Sequence, residues 1–235
     1  MRGYIRRHYR GFWRQMIRLI KGDPPERLVK HAARWTKSVL DKLSKGEKLT
    51  SSDVGRYNHP EIKGALLSET HSKCAYCESK VRHVTYGDIE HVVPKSDDPS
   101  RMFAWDNLTI ACDVCNTNKK NAPVQDDTFV DPYRVDPEFA FWPQGPLVFG
   151  LPGRDDALRT ERLLKLNRGE LVERRTERLK YLNSLLQNIE NAKSEDVKQI
   201  LWNDFCNEAE SDKEYAALAR CLRGDASERL GLVVV

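Results

Sequence analysis

Four cysteines in two Cys-X-X-Cys pairs carry the first sign of chemistry in this 235-residue chain. Cys74 and Cys77 form the first pair, and Cys112 and Cys115 form the second. Two such pairs provide the four thiolates of a closed tetrahedral zinc site, which leaves no open position for water or substrate. The sequence therefore predicts a structural Zn²⁺. Ordinary buried cysteines are the disfavoured alternative, because both pairs lie within one 42-residue window.

The segment between and after these pairs supplies a carboxylate, an imidazole and an amide. Hydrolysis of a phosphodiester needs a base for the attacking water, and neutral His91 can take a proton near neutral pH. Glu90 and Asn116 offer the oxygen ligands that a hard divalent cation prefers. We therefore expect residues 90, 91 and 116 to converge on one cation. Strand alternation would point Glu90 and His91 to opposite faces, so this chemistry requires the strand to end near His91.

A histidine beside an acid is more often a surface or capping residue, so the prediction depends on the whole group of residues. Helical patterns flank that group. Apolar spacing predicts a helix over 24–48 and helices over most of the C-terminal third. Pro60, near a first helical position, predicts a further helix that runs to about Thr70. Short strands are expected at 81–86 and 88–90, followed by a polar helical turn at 116–121.

The C-terminal half is expected to begin with irregular structure over 122–153, because proline and glycine are frequent there. Six aromatic side chains in that segment are expected to be buried: Phe129, Tyr133, Phe139, Phe141, Trp142 and Phe149. Helices then follow at 156–166 and along a stripe from Leu171 to Ile189. A capping box at 211–214 predicts a last helix that ends at Gly224. Cys206 and Cys221 are interpreted as reduced core residues.

Positive charge is concentrated at the N-terminus. Residues 1–50 carry 14 Lys and Arg against four acidic residues, whereas the whole chain has a net charge of only +4. Such a basic arm is expected where a protein contacts nucleic-acid phosphates, although a solvated helix face is an equal alternative. The composition is that of a soluble protein, without an apolar run long enough to span a membrane. We expect a cytoplasmic location.

Residues 74–120 resemble an HNH endonuclease, the ββα-metal finger. The resemblance rests on the four cysteines, Asp88-Ile89-Glu90-His91-Val92-Val93-Pro94, Trp105-Asp106-Asn107-Leu108, Asn116 and Lys119. It implies an α+β, mostly helical fold in which a zinc-stapled ββα-metal core is flanked by N-terminal and C-terminal helices. We divide the chain into a basic helical region at 1–58, the HNH core at 59–130, and a Pro/aromatic and helical region at 131–235.

The resemblance also implies a role for each matched position. His91 would be the general base, and Glu90 and Asn116 would bind a catalytic Mg²⁺ or Mn²⁺. Asn107 would brace the loop that carries the base. Asn116 stands where many members have histidine, which is a common variant and not in itself inactivating. Asp88 would support these ligands or replace one of them. Lys119 would contact phosphate or lie on a solvated helix face.

A wider resemblance, from about His59 to about Leu182, is to the HNH subunits of Septu-type and retron-associated anti-phage systems. It includes Pro94-Lys95-Ser96, Asp131-Pro132-Tyr133 and Leu164-Lys165-Leu166-Asn167-Arg168. It implies DNA as the substrate, without excluding RNA, together with an ABC/SMC-type ATPase partner and no membrane. The rival interpretation is a non-catalytic, zinc-stapled nucleic-acid-binding or adaptor module. Glu90, His91 and Asn116 together argue against that rival, because a pure binder has no need for a carboxylate that repels phosphate.

Overall fold

A two-stranded sheet and the helix after it lie between groups of longer helices. The computed structural model describes residues 16–81, 87–122, 124 and 127–232. Its helices are α1 Glu26–Ser44, α2 Ser51–Val54, α3 Pro60–Glu69, α4 Asp113–Lys119, α5 Asp155–Leu164, α6 Gly169–Asn191, α7 Glu195–Asn207 and α8 Ala216–Leu230. Its strands are β1 Asp88–His91, β2 Leu108–Ala111, β3 Phe141–Gln144 and β4 Leu147–Gly150. This architecture confirms the predicted α+β, mostly helical class.

The N-terminal helices follow the sequence signals closely. α1 begins directly after Pro25 and buries Leu28, Trp35 and Val39 along one side. The predicted stop at Gly46 is confirmed, since this residue has a φ of +69° just beyond the helix. α3 begins with Pro60 at its first position, and the predicted helix from there is also confirmed.

The central ββα unit consists of β1, β2 and α4. β1 and β2 are antiparallel, with Glu90 opposite Thr109 and His91 opposite Leu108. The predicted strand at 88–90 is confirmed and ends at His91. The predicted strand at 81–86 falls mainly on residues 82–86, which lie outside the described residues. The helix predicted at 116–121 begins earlier, at Asp113, because Cys112 is its extended N-terminal cap.

The prediction of irregular structure over 122–153 is wrong for its second half. β3 and β4 form a hairpin in which Pro143 lies opposite Val148. A two-stranded sheet has a free edge on each strand, so it can accommodate the missing N–H of a proline. Phe129 and Phe141 are buried as predicted, whereas Tyr133, Trp142 and Phe149 are only half-buried. Phe139 is 70% exposed, which contradicts its predicted burial.

The C-terminal helices match the sequence in part. The long predicted stripe is confirmed as α6, which buries Leu171, Leu182, Leu186 and Ile189. The predicted capping box and stop of the last helix are wrong. α8 begins at Ala216, runs through Gly224 and ends at Leu230, with Gly231 as its C-terminal cap. The carboxylate of Glu214 instead accepts a hydrogen bond from the Lys80 backbone N–H at 2.8 Å, so it is not available as a cap.

One continuous apolar cluster connects these elements, from Met16 before α1 to Ala226 in α8. Cys221 is buried, and Cys206 packs partly buried against the cluster. Among the described helices, none combines the length and apolar character needed to cross a bilayer.

Candidate active site and zinc centre

The four paired cysteines lie together where the first Cys-X-X-Cys loop meets β2 and α4. Their Sγ atoms all lie within 4.8 Å of one another, and those of Cys77 and Cys112 are 3.8 Å apart. Zn–S bonds of about 2.3 Å at tetrahedral angles place the sulfurs about 3.8 Å apart. The donor set and its spacing therefore fit a structural zinc ion.

Backbone contacts explain why the two pairs meet. The Ala75 N–H donates to the carbonyl of Ile110 at 2.9 Å, which attaches the first loop to β2. Cys112 follows β2 directly and caps α4, whose first turn carries Cys115. The loop closes on itself through the Cys74 N–H and the carbonyl of Ser79, also at 2.9 Å.

Arg168 lies against the cysteine cluster. Its guanidinium nitrogens are 3.7 Å, 3.8 Å and 3.9 Å from the Sγ atoms of Cys115, Cys112 and Cys77. Four thiolates around one Zn²⁺ carry a net double negative charge, which a donating guanidinium offsets. From the sequence, Arg168 belongs only to the wider resemblance, and its contact with the cysteines was not predicted. An arginine just before a helix gives no signal that points to a zinc site.

The helix α4 lies across one face of β1. Glu90 Oε1 accepts from Lys119 Nζ at 2.7 Å, and the Asn116 amide donates to Asp88 Oδ2 at 3.3 Å. Lys119 also donates to the carbonyl of His91, and its side chain is completely buried. It therefore does not lie on a solvated helix face. Burial raises the pKa of Glu90, and the charge of Lys119 opposes that shift.

This face offers oxygen donors suited to a hard divalent cation. Asp88 and Glu90 are two residues apart on β1 and so share a face, and Asn116 reaches the same face from α4. Among the described contacts, no hydrogen bond joins Glu90 to Asn116, and the imidazole of His91 bonds to neither side chain. The predicted convergence of residues 90, 91 and 116 on one cation therefore stays a prediction.

His91 makes its contacts on the opposite face of β1. Its Nε2 lies 2.9 Å from the carbonyl oxygen of Met102. A carbonyl can only accept, so Nε2 carries the ring proton and Nδ1 keeps its lone pair. Tyr57 packs at right angles to the imidazole, with ring centroids 4.5 Å apart. Burial lowers the pKa of His91 to about 4, so the ring is neutral near neutral pH.

Asn107 fixes the loop that follows His91. Its side-chain oxygen accepts from the Val93 N–H at 2.7 Å, and its amide nitrogen donates to the carbonyls of Val93 and Arg101. Its own carbonyl accepts from Val92. The side chain is completely buried, so these contacts are shielded from water.

Tyr57 and Lys95 complete the surroundings of His91. Lys95 Nζ donates to the Tyr57 hydroxyl at 3.1 Å. No role was predicted for Tyr57, because this residue lies between α2 and α3, far from the motif along the chain. Lys95 was noted only within the wider resemblance.

The N-terminal basic segment is described only from residue 16 onward, so its first 15 residues and their aromatic side chains lie outside the described part. Lys21 is not available to nucleic acid. Its ammonium donates to Glu69 at 2.9 Å and to the carbonyl of Leu108 at 2.6 Å, and lies 4.1 Å from the centroid of the Trp105 ring. This lysine attaches the N-terminal segment to β2.

Comparison with known proteins gives two kinds of match. Residues 74–122 match the family model described as HNH endonuclease. The chain is 29% identical over 118 residues to the Septu protein PtuB of Bacillus thuringiensis, covering 50% of this chain and 42% of that protein. It is 31% identical over 87 residues to the Septu protein PtuB of Bacillus mycoides (strain KBAB4), covering 31% of this chain and 30% of that protein. The chain thus spans less than half the length of either relative. These matches confirm the resemblance drawn from the sequence.

Proposed function

We propose that the HNH endonuclease domain at residues 74–122 hydrolyses DNA phosphodiester bonds with a divalent cation, in bacterial defence against phage. The observation that carries this proposal is His91 at the end of β1. A buried imidazole that donates through Nε2 to Met102 presents Nδ1 as a base. DNA is preferred over RNA on family resemblance alone.

His91 accepts the proton of the attacking water at Nδ1. Asn107 holds residues 92 and 93 in place, which fixes the backbone on which the imidazole is carried. Glu90 and Asn116 are the proposed ligands of Mg²⁺ or Mn²⁺, and Asp88 is a further oxygen donor beside Asn116. When bound, the cation supplies charge stabilisation at the phosphate and the leaving oxygen. Lys119 occupies one oxygen of Glu90 and compensates its charge in a buried site.

The four-cysteine site has a structural role in this proposal. With all four positions filled by thiolates, the Zn²⁺ has no position for a substrate. Its proposed task is to hold the first loop, β2 and α4 together, so that α4 delivers Asn116 and Lys119 to the face of β1.

The defence role rests on the relatives, both of which are named Septu protein PtuB. From the family resemblance we propose an ABC/SMC-type ATPase as the partner and the cytoplasm as the place of action. The aligned residues cover only 42% of the Bacillus thuringiensis protein. The partner and the place of action are therefore proposals for this chain.

The test is cleavage of supercoiled plasmid DNA by the purified protein, with Mg²⁺, Mn²⁺ or EDTA. We expect nicked or linear product with Mg²⁺ or Mn²⁺ and none with EDTA. The rival nucleic-acid-binding module would retard the plasmid in a gel without cutting it under any of these conditions. That result, obtained with and without the proposed ATPase partner, would overturn the nuclease assignment.

A further inference from the structure

A tyrosine and a lysine from different parts of the chain meet beside His91. Lys95 Nζ lies 3.1 Å from the Tyr57 hydroxyl and 5.0 Å from the centroid of the Tyr57 ring. The same ring packs edge-on against the imidazole, with centroids 4.5 Å apart. One tyrosine therefore fixes the position of the ammonium relative to the proposed base.

Lys95 differs from the other lysines near the site in its partners. Lys21 and Lys119 each pair with a carboxylate, at 2.9 Å and 2.7 Å. Lys95 is half-exposed, and among the described contacts its ammonium bonds to a hydroxyl and pairs with no carboxylate. An ammonium has three N–H donors, so two remain for an anion. A held cation with no counter-ion among the described residues is a suitable contact for phosphate.

The charge of Lys95 also acts on both groups that would perform the chemistry. It lowers the pKa of His91 after the larger effect of burial, and it lowers the pKa of Glu90 against the effect of burial. It therefore lies within electrostatic range of both side chains. The backbone of Lys95 belongs to the loop that follows His91. Asn107 holds the start of this loop through the Val93 N–H.

We infer that Lys95 contacts a backbone phosphate of the substrate next to His91, and that Tyr57 positions this lysine. This inference rests on the proposed function, since it assigns the phosphate contact within the same site. Lys95 is a binding residue, and Tyr57 is a positioning residue that acts through it. Tyr57 lies outside the segment that matches the HNH family, whereas Lys95 and His91 lie within it, so the surrounding chain supplies the positioning residue.

The test measures the salt dependence of DNA binding. A fluorescein-labelled DNA duplex is titrated without divalent cation over a series of KCl concentrations. Replacement of one phosphate-contacting lysine should reduce the slope of log Kobs against log [KCl] by about 0.9. We expect this reduction for Lys95→Gln and a slope close to wild type for Lys95→Arg. The matched control is Lys193→Gln at an exposed site between α6 and α7, which should leave the slope unchanged.

Tyr57→Phe separates the two roles of the tyrosine, because it keeps the ring against His91 and removes the hydroxyl that holds Lys95. We expect an affinity between those of wild type and Lys95→Gln. A Lys95→Gln protein with the wild-type slope would overturn the phosphate contact, and a Tyr57→Phe protein with wild-type affinity would overturn the positioning role.

Failure of the proposed function would appear separately. A wild-type protein that shows the Lys95-dependent slope but never cuts DNA would retain the phosphate contact and lose the nuclease assignment. The melting temperature and zinc content of each variant show whether a changed slope comes from the contact or from misfolding.

Discussion

The imidazole of His91 is held by three neighbours before any substrate is present. The Met102 carbonyl accepts a hydrogen bond from its Nε2–H, Tyr57 packs on its ring, and Asn107 fixes the loop that follows it. This arrangement selects one tautomer and leaves Nδ1 as the basic atom. At the same scale, Lys119 compensates the buried charge of Glu90 on the opposite face of the strand. The base and the proposed metal ligand are thus consecutive residues whose side chains lie in different environments on opposite faces of β1.

Replacing Lys119 with methionine should destabilise the protein by about 3–5 kcal/mol. The change leaves the buried carboxylate of Glu90 without its partner, whereas the volume of the side chain is nearly conserved. Urea denaturation without added Mg²⁺ measures the effect, and adding Glu90→Gln to Lys119→Met should restore part of the loss. A single variant as stable as wild type would show that the pair does not form.

Among the elements, α2 depends on a carboxylate that caps it. Asp53 accepts from Lys42 Nζ at 2.7 Å, from the Thr50 N–H at 3.0 Å and from Arg56 at 2.9 Å. The hydrogen bonds from Lys42 and Thr50 hold the pKa of Asp53 well below its usual value. Such a carboxylate stabilises the fold fully above its unfolded pKa of about 4 and loses that effect as the pH falls further.

Asp53→Asn should therefore lower stability near neutral pH and make little difference in strong acid. Urea midpoints of wild type and variant, measured from neutral pH down to about pH 3, should approach each other below about pH 4. Asp41→Asn, at an exposed position of α1, serves as the control and should not change with pH in this way. A constant difference between wild type and Asp53→Asn would contradict the role of the charged form.

Local patterns predicted the elements that contain their own signals. Pro60 predicts the start of α3, and the apolar spacing from Leu171 to Ile189 predicts α6. Both predictions succeed because each signal lies within the helix concerned. The start of α8 was missed because Glu214 bonds to Lys80, a residue far away in sequence. The site shows the same difference between local signals and long-range contacts. The types of residue at 90, 91, 107 and 116 were evident, whereas Tyr57 and Arg168 reach the site only through tertiary packing.

Across the whole molecule, the first Cys-X-X-Cys loop connects the two ends of the described chain. Glu78 accepts from the Ile17 N–H at 3.0 Å and from the Ala217 N–H at 3.4 Å. Ser79 and Tyr215 share a hydrogen bond of 2.8 Å. The N-terminal segment and the start of α8 therefore both depend on the conformation of the cysteine loop, which zinc would fix.

Cys112→Ser should release zinc and lower the stability of the entire described fold. Because zinc binding and folding are coupled, the melting temperature should fall, by about 2–4 °C for each kcal/mol of stability lost in a chain of this size. Zinc content by atomic emission and Tm by calorimetry give the two readouts. Cys206→Ser, at a half-buried cysteine of α7, should keep its zinc. Unchanged zinc content and Tm in Cys112→Ser would contradict the proposed four-cysteine zinc site.

Arg168→Met should weaken zinc retention without removing a ligand. Groups that support metal ligands typically contribute about 10–100-fold in affinity. We therefore expect faster transfer of zinc to a chromogenic chelator, and no such change for Arg174→Met at an exposed position of α6. Equal transfer rates for wild type and Arg168→Met would show that the guanidinium does not stabilise the thiolates.

The most direct test of the central claim is the single-turnover rate of plasmid cleavage by wild type and by His91→Ala, both with Mg²⁺. Loss of a general base should reduce this rate by about 10²–10⁴-fold, while DNA affinity and zinc content stay unchanged. His91→Ala cutting at the wild-type rate, with zinc and DNA binding intact, would contradict the assignment of the imidazole as the base.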